Sequence, residues 1–544
     1  MTELAIVSRK QLVVKIETAV ALALSAWIVF LHVTFYLHAG GLWRDEASSV
    51  GLALRPTFGQ MWADLAFDPF PVLYFALLRT WIGVGFSSDA HIRLLGMSIG
   101  ILTVVAFWWS SKLVNKDSPP LIPLALFCLN PVALQSGDSA RPYGLSVFIL
   151  IICYTFAWKM TDNAAHKKSS LAIMIGIAVI CVQVSFTNVF LLSGMCLAGI
   201  VAALVCGKRR RAVLFSIAGF TAVTSLALYL HGIQRVRDWS VLLAGSVSIA
   251  GVMKSLFDTL TTNSLLPACL ALFVGAIAIV ASLRSWLRED SSSKSAIIYS
   301  VVTSFLSVVA ITIFFIATRK PPDPRYFIGL LVVICLSLQQ MAGRIGSWFF
   351  RTLLLAGCIG AVVTLLPASA ITARMPMTNC PDVASRVAES ATQDDLVIVT
   401  AFYYAVSFER YYQGKASWMS LPEIADHSIH RWDLMKDMMM QRDPLVGLLA
   451  QMESTLRGGH NVYLVGTLPA ADSAQPEPLP PAPDSDYGWE LAHYQENWQA
   501  RLSYVIEHHA TSGHNLLPAG SVDRASREVI GAYVVSGWRD TDAN

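Results

Sequence analysis

The chain has 544 residues, of which 54% are hydrophobic and only 14% are charged. An ordinary soluble domain carries about 25% charged residues, so this composition excludes a purely soluble enzyme and a disordered or fibrous chain. Residues 1–371 hold 28 Lys and Arg against 15 Asp and Glu, whereas residues 372–544 hold 12 against 22. The sequence therefore predicts a transmembrane domain, 1–371, followed by a more polar domain, 372–544.

The first apolar run long enough to cross a bilayer covers residues 18–39, and basic residues precede it. This pattern is typical of an uncleaved signal anchor whose N-terminus lies in the cytoplasm. Ten further runs bring the predicted number of transmembrane helices to about eleven. They cover 92–111, 119–136, 143–161, 171–187, 190–206, 212–231, 264–283, 295–317, 326–342 and 352–371. The shorter, interrupted run at 70–86 is interpreted as a helix lying at the outer surface.

The charges of the loops indicate an orientation. The loops predicted to face the cytoplasm hold 17 Lys and Arg and six acidic residues, in accordance with the positive-inside rule. The basic run Lys208–Arg211 is interpreted as part of this topology signal. Eleven spans would place the acidic C-terminal domain outside the cytoplasm, and its lack of a basic patch argues against a nucleic-acid partner.

The polar C-terminal part alternates short apolar runs with amphipathic ones, which predicts a small α/β domain. Strands are expected at 395–401, 462–466 and 529–536, and helices at 402–412, 444–456 and 489–509. Residues 471–486 contain five prolines and are predicted to form a loop. The cluster of His508, His509 and His514 is better explained as surface than as a metal site.

Unusual polar residues gather where the spans meet the outer face. Five outer segments together offer carboxylates beside cations. They are 42–74 with Arg44, Asp45, Glu46 and Asp68, then 138–143 with Asp138 and Arg141, Thr187-Asn188, the loop with Arg235 and Arg237, and 319–326 with Arg325. A carboxylate can act as a general base on a hydroxyl, and Arg or Lys can hold a phosphate. The alternative is that these are ordinary interfacial charges and snorkelling side chains, beside aromatic residues that belong at a membrane interface.

The order of these segments resembles the GT-C membrane glycosyltransferases, most closely the family 39 type that includes protein O-mannosyltransferases and aminoarabinose transferases. The stretches that carry the resemblance are Arg44–Ala47 after the first span, Asp68–Pro71 with Tyr74, Ala140–Tyr143, Arg325-Tyr326 at the start of a late span, and Phe402–Tyr412 with Leu421-Pro422 in the C-terminal part. One departure is Thr187-Asn188-Val189, where many bacterial relatives carry a Thr-His-Tyr-like stretch.

The resemblance implies inverting transfer of a sugar from a polyprenyl-phosphate donor to a hydroxyl or phosphate acceptor at the outer face of the membrane. Asp45 matches the catalytic carboxylate, Asp138 matches the second acidic position, and Glu46 belongs to the same motif. The expected donor-phosphate ligands are Arg141, Arg325, Tyr143, Tyr326 and Arg44. The expected substrate cavity includes Asp68, Tyr74, Asn188, Arg235 and Arg237.

The sequence predicts no cofactor and no metal, because the cations and carboxylates offer no ligand set with clear spacing. The expected partners are the lipid-linked donor, a lipid, glycan or protein acceptor, and membrane lipids. The expected location is the bacterial inner membrane, with the N-terminus cytoplasmic and the C-terminal domain periplasmic. The competing hypotheses are a transporter or flippase, a polysaccharide ligase or polymerase of another family, and an inactive subunit. A transporter would be expected to show internal repeats and ionisable groups at the midplane.

Overall fold

A computed structural model describes residues 3–115, 118–162, 168–238, 241–242, 247–261, 269, 272–277, 279–280, 291–466, 476–483, 489–517 and 525–540. Its first part is helical: α1 (Glu3–His38), α2 (Arg44–Ala53), α3 (Phe58–Asp64), α4 (Val72–Gly83), α5 (Asp89–Val114), α6 (Leu121–Pro123), α7 (Pro131–Gly137), α8 (Tyr143–Asp162), α9 (Lys168–Val184), α10 (Asn188–Val205), α11 (Arg209–Ser225), α12 (Leu230–Asp238), α13 (Ile249–Thr261), α14 (Ser291–Thr318), α15 (Ile328–Ala342) and α16 (Trp348–Arg374).

Among the described residues, eight helical segments are long and apolar enough to cross a membrane. They coincide with eight of the predicted spans and run Arg9–His38, Asp89–Val114, Tyr143–Thr161, Asn188–Val205, Arg209–Val236, Lys294–Thr318, Pro324–Ala342 and Trp348–Arg374. The prediction of a multi-pass helical membrane protein is therefore confirmed, but the count of eleven is not. The span expected at 171–187 is the short apolar segment Leu171–Val184, and most of the span expected at 264–283 lies outside the described residues.

The expected span at 119–136 is broken. Its helical pieces are α6, a wider helical turn over Leu124–Cys128, and α7. Prolines explain the breaks, because proline lacks a backbone N–H and clashes with the preceding turn. Pro131 opens α7, where Asn130 caps the helix by accepting from Val132 N at 2.9 Å. The pieces are nevertheless buried in the helical core.

One buried ion pair joins the first and last spanning helices. Arg351 of α16 donates to Glu17 of α1, with 2.6 Å between Nη2 and Oε2, and both side chains are almost fully buried. A charge inside an apolar helix bundle is costly unless it is paired, so this contact fixes α16 against α1. Helix α16 ends at Arg374, and Met377 N then donates to Ala39 O at 2.8 Å, which returns the chain to the end of α1.

The C-terminal part is a three-layer α/β domain. Its helices are α17 (Cys380–Ser390), α18 (Ala405–Tyr411), α19 (Trp432–Met440), α20 (Val446–Arg457) and α21 (Leu491–His509). Its strands are β2 (Leu396–Thr400), β3 (Ser417–Leu421), β4 (Asn461–Gly466), β6 (Ala510–Asn515) and β7 (Gly531–Trp538), in the order β3-β2-β4-β7-β6. The short strands β1 (Val241–Leu242) and β5 (Trp489–Glu490) pair separately.

The central strand β2 shows why helices cover both faces of the sheet. Leu396 and Ile398 pack into one core cluster, and Val397 and Val399 pack into the other. Successive side chains of a strand point to opposite faces, so a continuous apolar run needs cover on both sides. The predicted α/β domain and the strands near 395–401, 462–466 and 529–536 are thus confirmed. The boundary between 371 and 372 stays a prediction.

Candidate active site

The helical part encloses a cavity of about 720 Å³. Aromatic and aliphatic side chains form most of its wall, including Phe186, Phe190, Phe314 and Phe315. Its polar lining residues include Asp68, Tyr143, Asn188, Arg235, Lys320, Arg325 and Tyr326. Large apolar pockets with a few convergent polar groups are the usual form of a ligand site. This one suits a long apolar ligand that carries an anionic group.

Asp45 lies in the first turn of α2, immediately after the first spanning helix and its connecting turn. Arg325 Nη1 donates to Asp45 Oδ2 at 2.9 Å, and His430 Nε2 lies 3.4 Å from Oδ1. The Asp45 side chain is 17% exposed. The carboxylate is therefore held from both sides and remains partly accessible. Arg325 lines the large cavity, so it connects Asp45 with that space.

The pKa of Asp45 reflects these neighbours. Burial acts to raise it, but the His430 hydrogen bond and the charges of Arg325 and Arg141 outweigh burial and hold the pKa well below its ordinary value. Asp45 is therefore ionised at any physiological pH. It can accept a proton, and its low proton affinity favours transfer late in a reaction, when the donated proton has become acidic.

Glu46 is fully buried and anchors the loop after the first span, which is the segment that begins with α2. It forms a double contact with Arg93 of α5, in which Nη2 lies 2.6 Å from Oε2 and Nη1 contacts Oε1. It also accepts from the backbone N–H groups of Trp43 and Ala140, at 3.2 and 2.8 Å. Four donors therefore surround one buried carboxylate, which locks the start of α2 to α5 and to the 138–142 turn.

Arg141 braces the same loop. Its Nη1 donates to Asp68 Oδ2 at 2.7 Å, to Ser49 Oγ at 2.8 Å and to the backbone oxygen of Asp45 at 3.1 Å. Its guanidinium also lies 5.0 Å from the centre of the Phe70 ring. Arg141 is 5% exposed and is not among the residues that line the cavity. The structure thus joins three predicted site residues, Arg141, Asp68 and Asp45. The observed contacts of Arg141 are with these protein groups and not with the cavity.

Asp138 lies apart from the cavity. Its Oδ2 is 2.7 Å from Nδ1 of His32 in the first spanning helix, and it is 1% exposed. A Cβ at Gly100 would fall 2.3 Å from Asp138 Oδ1, so a glycine is needed for α5 to pass this close. The catalytic role of Asp138 stays a prediction, and its observed contact is with His32.

The other predicted residues divide between the cavity and its surroundings. Tyr143 and Tyr326 line the cavity with ring centres 6.5 Å apart, and Arg235 lines it beside Phe67. Asn188 lines it too, but it accepts from Ser146 Oγ at 2.9 Å and donates to Cys181 O at 2.9 Å. Tyr74 is buried against Phe75, and Arg44 lies over the Tyr403 ring at 4.4 Å. The side chain of Arg237 falls outside the described part.

The C-terminal domain packs directly against the helical part, where it contacts α2 and the start of α5. Arg410 Nε and Tyr411 Oη contact Asp89 at the start of α5, at 3.1 and 2.6 Å. A Cβ at Gly51 of α2 would lie 1.8 Å from the Ser428 carbonyl oxygen, so the two backbones approach as closely as only glycine permits. The docked segment brings His430 to Asp45.

Sequence reasoning missed Arg93, His430, His32 and Arg527 as participants. Arg93 carried a usable signal, since a charge near the start of an apolar span is expensive and calls for a partner. His430 carried none, because it lies 385 positions from Asp45 and only the docking of two domains joins them. Arg527 lies close enough to Arg325 for their charges to act on each other, and its Nη2 is 3.3 Å from Ser136 Oγ.

The chain matches no family model and no curated protein sequence. Among solved structures it is similar to crystal structures of ArnT from Cupriavidus metallidurans, one bound to undecaprenyl phosphate and one in the apo state. Their TM-scores are 0.48 and 0.47, with 11% identity, and the similarity covers 82% of this chain and 92% of ArnT. Similarity at this level decides neither fold family nor chemistry, so the proposals below rest on the site itself.

Glu528 makes the docked domain sensitive to pH. It is 1% exposed, and burial raises its pKa to about 7, against lowering by the Thr378 and Ser407 hydrogen bonds and the charge of Arg44. The pKa of Glu528 is higher in the folded protein than in the unfolded chain. Its contribution to the free energy of unfolding is therefore fully present below the ordinary pKa of 4.5 and is lost as the pH rises through about 7.

We therefore expect Glu528→Gln to flatten this pH dependence and to gain about 3 kcal/mol over wild type at pH 8. Thermal unfolding in detergent at pH 5, 6, 7 and 8 would measure it. Asp433→Asn, whose partner Arg431 lies in the same domain, is the control. Equal pH slopes for wild type and Glu528→Gln would contradict the assignment.

Proposed function

We propose that this chain is an integral-membrane glycosyltransferase that moves a sugar from a polyprenyl-phosphate donor to an acceptor hydroxyl or phosphate at the outer face of a bacterial inner membrane. The observation that carries the proposal is the 720 Å³ apolar cavity, with Arg325 on its wall bound to Asp45. An isoprenoid chain needs an apolar space, its phosphate needs cations, and the acceptor needs a base. The three requirements meet at Arg325.

The donor phosphate is assigned to the cationic lining residues Arg325, Lys320 and Arg235. Arg325 Nη1 bonds Asp45, while its buried Nε lies 3.7 Å from Asp323 Oδ1 and has no acceptor at hydrogen-bond distance among the described residues. A buried donor without an acceptor is costly, so it marks a place for a ligand oxygen. Tyr143 and Tyr326 line the cavity beside it and can contact the first sugar or isoprene unit.

The reaction then needs little beyond positioning and charge stabilisation. The phosphate departs with the electrons of its bond to the anomeric carbon, and Arg325 stabilises the charge that develops on it. The acceptor oxygen attacks the opposite face of that carbon and inverts it, and its proton passes to Asp45 Oδ1 or Oδ2. Phosphate is a good leaving group, so the weakly basic Asp45 suffices as a late proton acceptor.

The C-terminal domain would then lie on the acceptor side, in the periplasm. It covers the loop that carries Asp45, and among the described residues Arg44, Tyr403 and Tyr404 form a cation–aromatic cluster next to that loop. An acceptor that approaches Asp45 from outside must pass this domain. The domain is therefore assigned to access by the acceptor, a lipid, glycan or protein.

Arg325→Lys tests the donor site. Lysine keeps the charge but loses the planar fork, so we expect polyprenyl-phosphate affinity to fall roughly 10- to 100-fold, the usual value of a hydrogen bond to a charged group. Binding of undecaprenyl phosphate to purified protein in detergent would measure it. Arg319→Lys, an exposed residue outside the cavity, is the control. Unchanged affinity in Arg325→Lys would remove the phosphate from this site.

A photoreactive isoprenoid phosphate would test the cavity itself. We expect its tail to label peptides that contain Phe186, Phe190 or Phe314, and excess undecaprenyl phosphate to suppress the label. A flippase would also bind such a lipid, but it would move the lipid without breaking the sugar–phosphate bond. Labelling confined to peptides outside the cavity would contradict the proposal.

A further inference from the structure

The C-terminal domain places one side chain against the proposed base. His430 is 8% exposed and its Nε2 lies 3.4 Å from Asp45 Oδ1. Its backbone N–H donates to Ser48 Oγ of α2 at 3.3 Å, and its ring lies 5.6 Å from the Trp432 ring. The backbone of His430 is therefore tied to the helix that carries Asp45, and its ring packs against Trp432 of its own domain.

The segment that carries His430 is itself braced. Asp426 Oδ1 accepts from the backbone N–H of Ser428 at 3.0 Å, and its Oδ2 accepts from Arg431 Nη1 at 2.9 Å. Arg55, from the end of α2, donates through Nη1 to Ser428 Oγ at 2.9 Å. Hydrogen bonds to charged groups at both ends of this segment hold its side chains in place. They therefore also hold His430 in its position next to Asp45.

We infer that His430 is a positioning residue, which the C-terminal domain supplies in order to orient the Asp45 carboxylate for proton transfer. The inference rests on the proposed function. Arg325 holds Oδ2 on the cavity side and His430 holds Oδ1 on the opposite domain, which fixes the rotation of the carboxylate. Each oxygen keeps a second lone pair for the acceptor proton. The helical part alone supplies only one of these two partners.

The pH dependence of the Asp45 carboxylate depends on each charged or titratable group that faces it in the described part of the chain. These groups are Arg44, Arg141, Tyr143, Arg325, His430 and Arg527. Of them, His430 is the one whose hydrogen bond to the Asp45 side chain lowers the pKa of that carboxyl most directly. Removal of the imidazole should therefore raise the pKa of Asp45, and the acid limb of activity should move to higher pH.

The test compares transfer across pH for wild type, His430→Ala and His430→Gln. We expect His430→Ala to lower the turnover rate roughly 10- to 100-fold, as a small misplacement of a reacting group does. Donor KM should not change, and the acid limb should move to higher pH. His430→Gln keeps an N–H donor and should recover part of the rate. The matched control is His427→Gln, three positions earlier, whose ring lies 4.9 Å from Trp418.

A second measurement does not need turnover. A carbodiimide labels protonated carboxyl groups, so labelling of Asp45 against pH, read by mass spectrometry, reports its protonation directly. In His430→Ala the labelling should begin at higher pH than in wild type, with buried Glu46 as the unlabelled reference. If wild type turns over and His430→Ala has the same rate and the same labelling curve, the inference is overturned. It is also overturned if His427→Gln loses as much of the turnover rate as His430→Ala does. Shifted labelling without any wild-type transfer would instead overturn the proposed function.

Discussion

Asp45→Asn should abolish sugar transfer while leaving the protein folded and able to bind its donor. A general base contributes about 10²–10⁴-fold, and an amide cannot take up the acceptor proton. Its carbonyl oxygen can still accept from Arg325 Nη1, which lies 2.9 Å from Oδ2 in the native contact. The loss should therefore appear in the turnover rate, with affinity for undecaprenyl phosphate close to that of wild type.

The control for this substitution is Asp64→Asn. Asp64 lies in α3, its side chain is 27% exposed against 17% for Asp45, and it forms an ion pair with Arg55 at 2.7 Å. It does not line the cavity. Exposed pairs contribute at most about 1 kcal/mol, so Asp64→Asn should keep most of the activity. Full transfer by Asp45→Asn would show that another group receives the acceptor proton.

Arg93→Gln should have the largest effect on stability. It leaves Glu46, which is 0% exposed, with an uncompensated buried charge, and removal of one partner of a buried pair typically costs about 3–5 kcal/mol. The double variant Glu46→Gln with Arg93→Gln should recover part of that loss, because no buried charge then remains. Thermal unfolding in detergent of wild type, both single variants and the double variant would measure the coupling.

Lys254→Gln is the comparison for that cycle. Lys254 is 80% exposed and pairs with Asp258 one helical turn away, at 3.5 Å. Such a pair contributes about 0.3–0.5 kcal/mol, so this variant should unfold with wild-type stability. If Arg93→Gln were as stable as Lys254→Gln, the pair of Arg93 and Glu46 would not be what holds the loop after the first span.

The sequence predicted the architecture well because hydropathy reports burial and lipid contact directly. Eight helices coincide with predicted spans, and β2 was visible as a continuous apolar run. The segment at 119–136 was predicted wrongly as one span. Composition alone could not tell an apolar helix that crosses lipid from one broken by Pro123 and Pro131 and buried among other helices.

The site was only partly predictable. The motif after the first span predicted Asp45 as a site residue, and Arg325, at the start of a span late in the sequence, was predicted to bind the donor phosphate. Only the fold shows that the two side chains are in direct contact. The functional roles of Glu46 and Arg141 stay predictions, and the fold adds their hydrogen bonds to Arg93 and to Asp68. His430 could not be predicted, since no local pattern states where a distant domain will dock.

Turnover of a lipid-linked sugar is the decisive measurement for the proposed transferase activity. Purified protein would be incubated with a panel of polyprenyl-phosphate sugars and a crude membrane-lipid acceptor extract, and both free polyprenyl phosphate and the anomeric configuration of the product would be measured. We expect wild type to release polyprenyl phosphate and to form an inverted product, and Asp45→Asn to do neither. Donor binding without cleavage of any sugar in the panel would contradict it and favour a transporter of lipid-linked substrates.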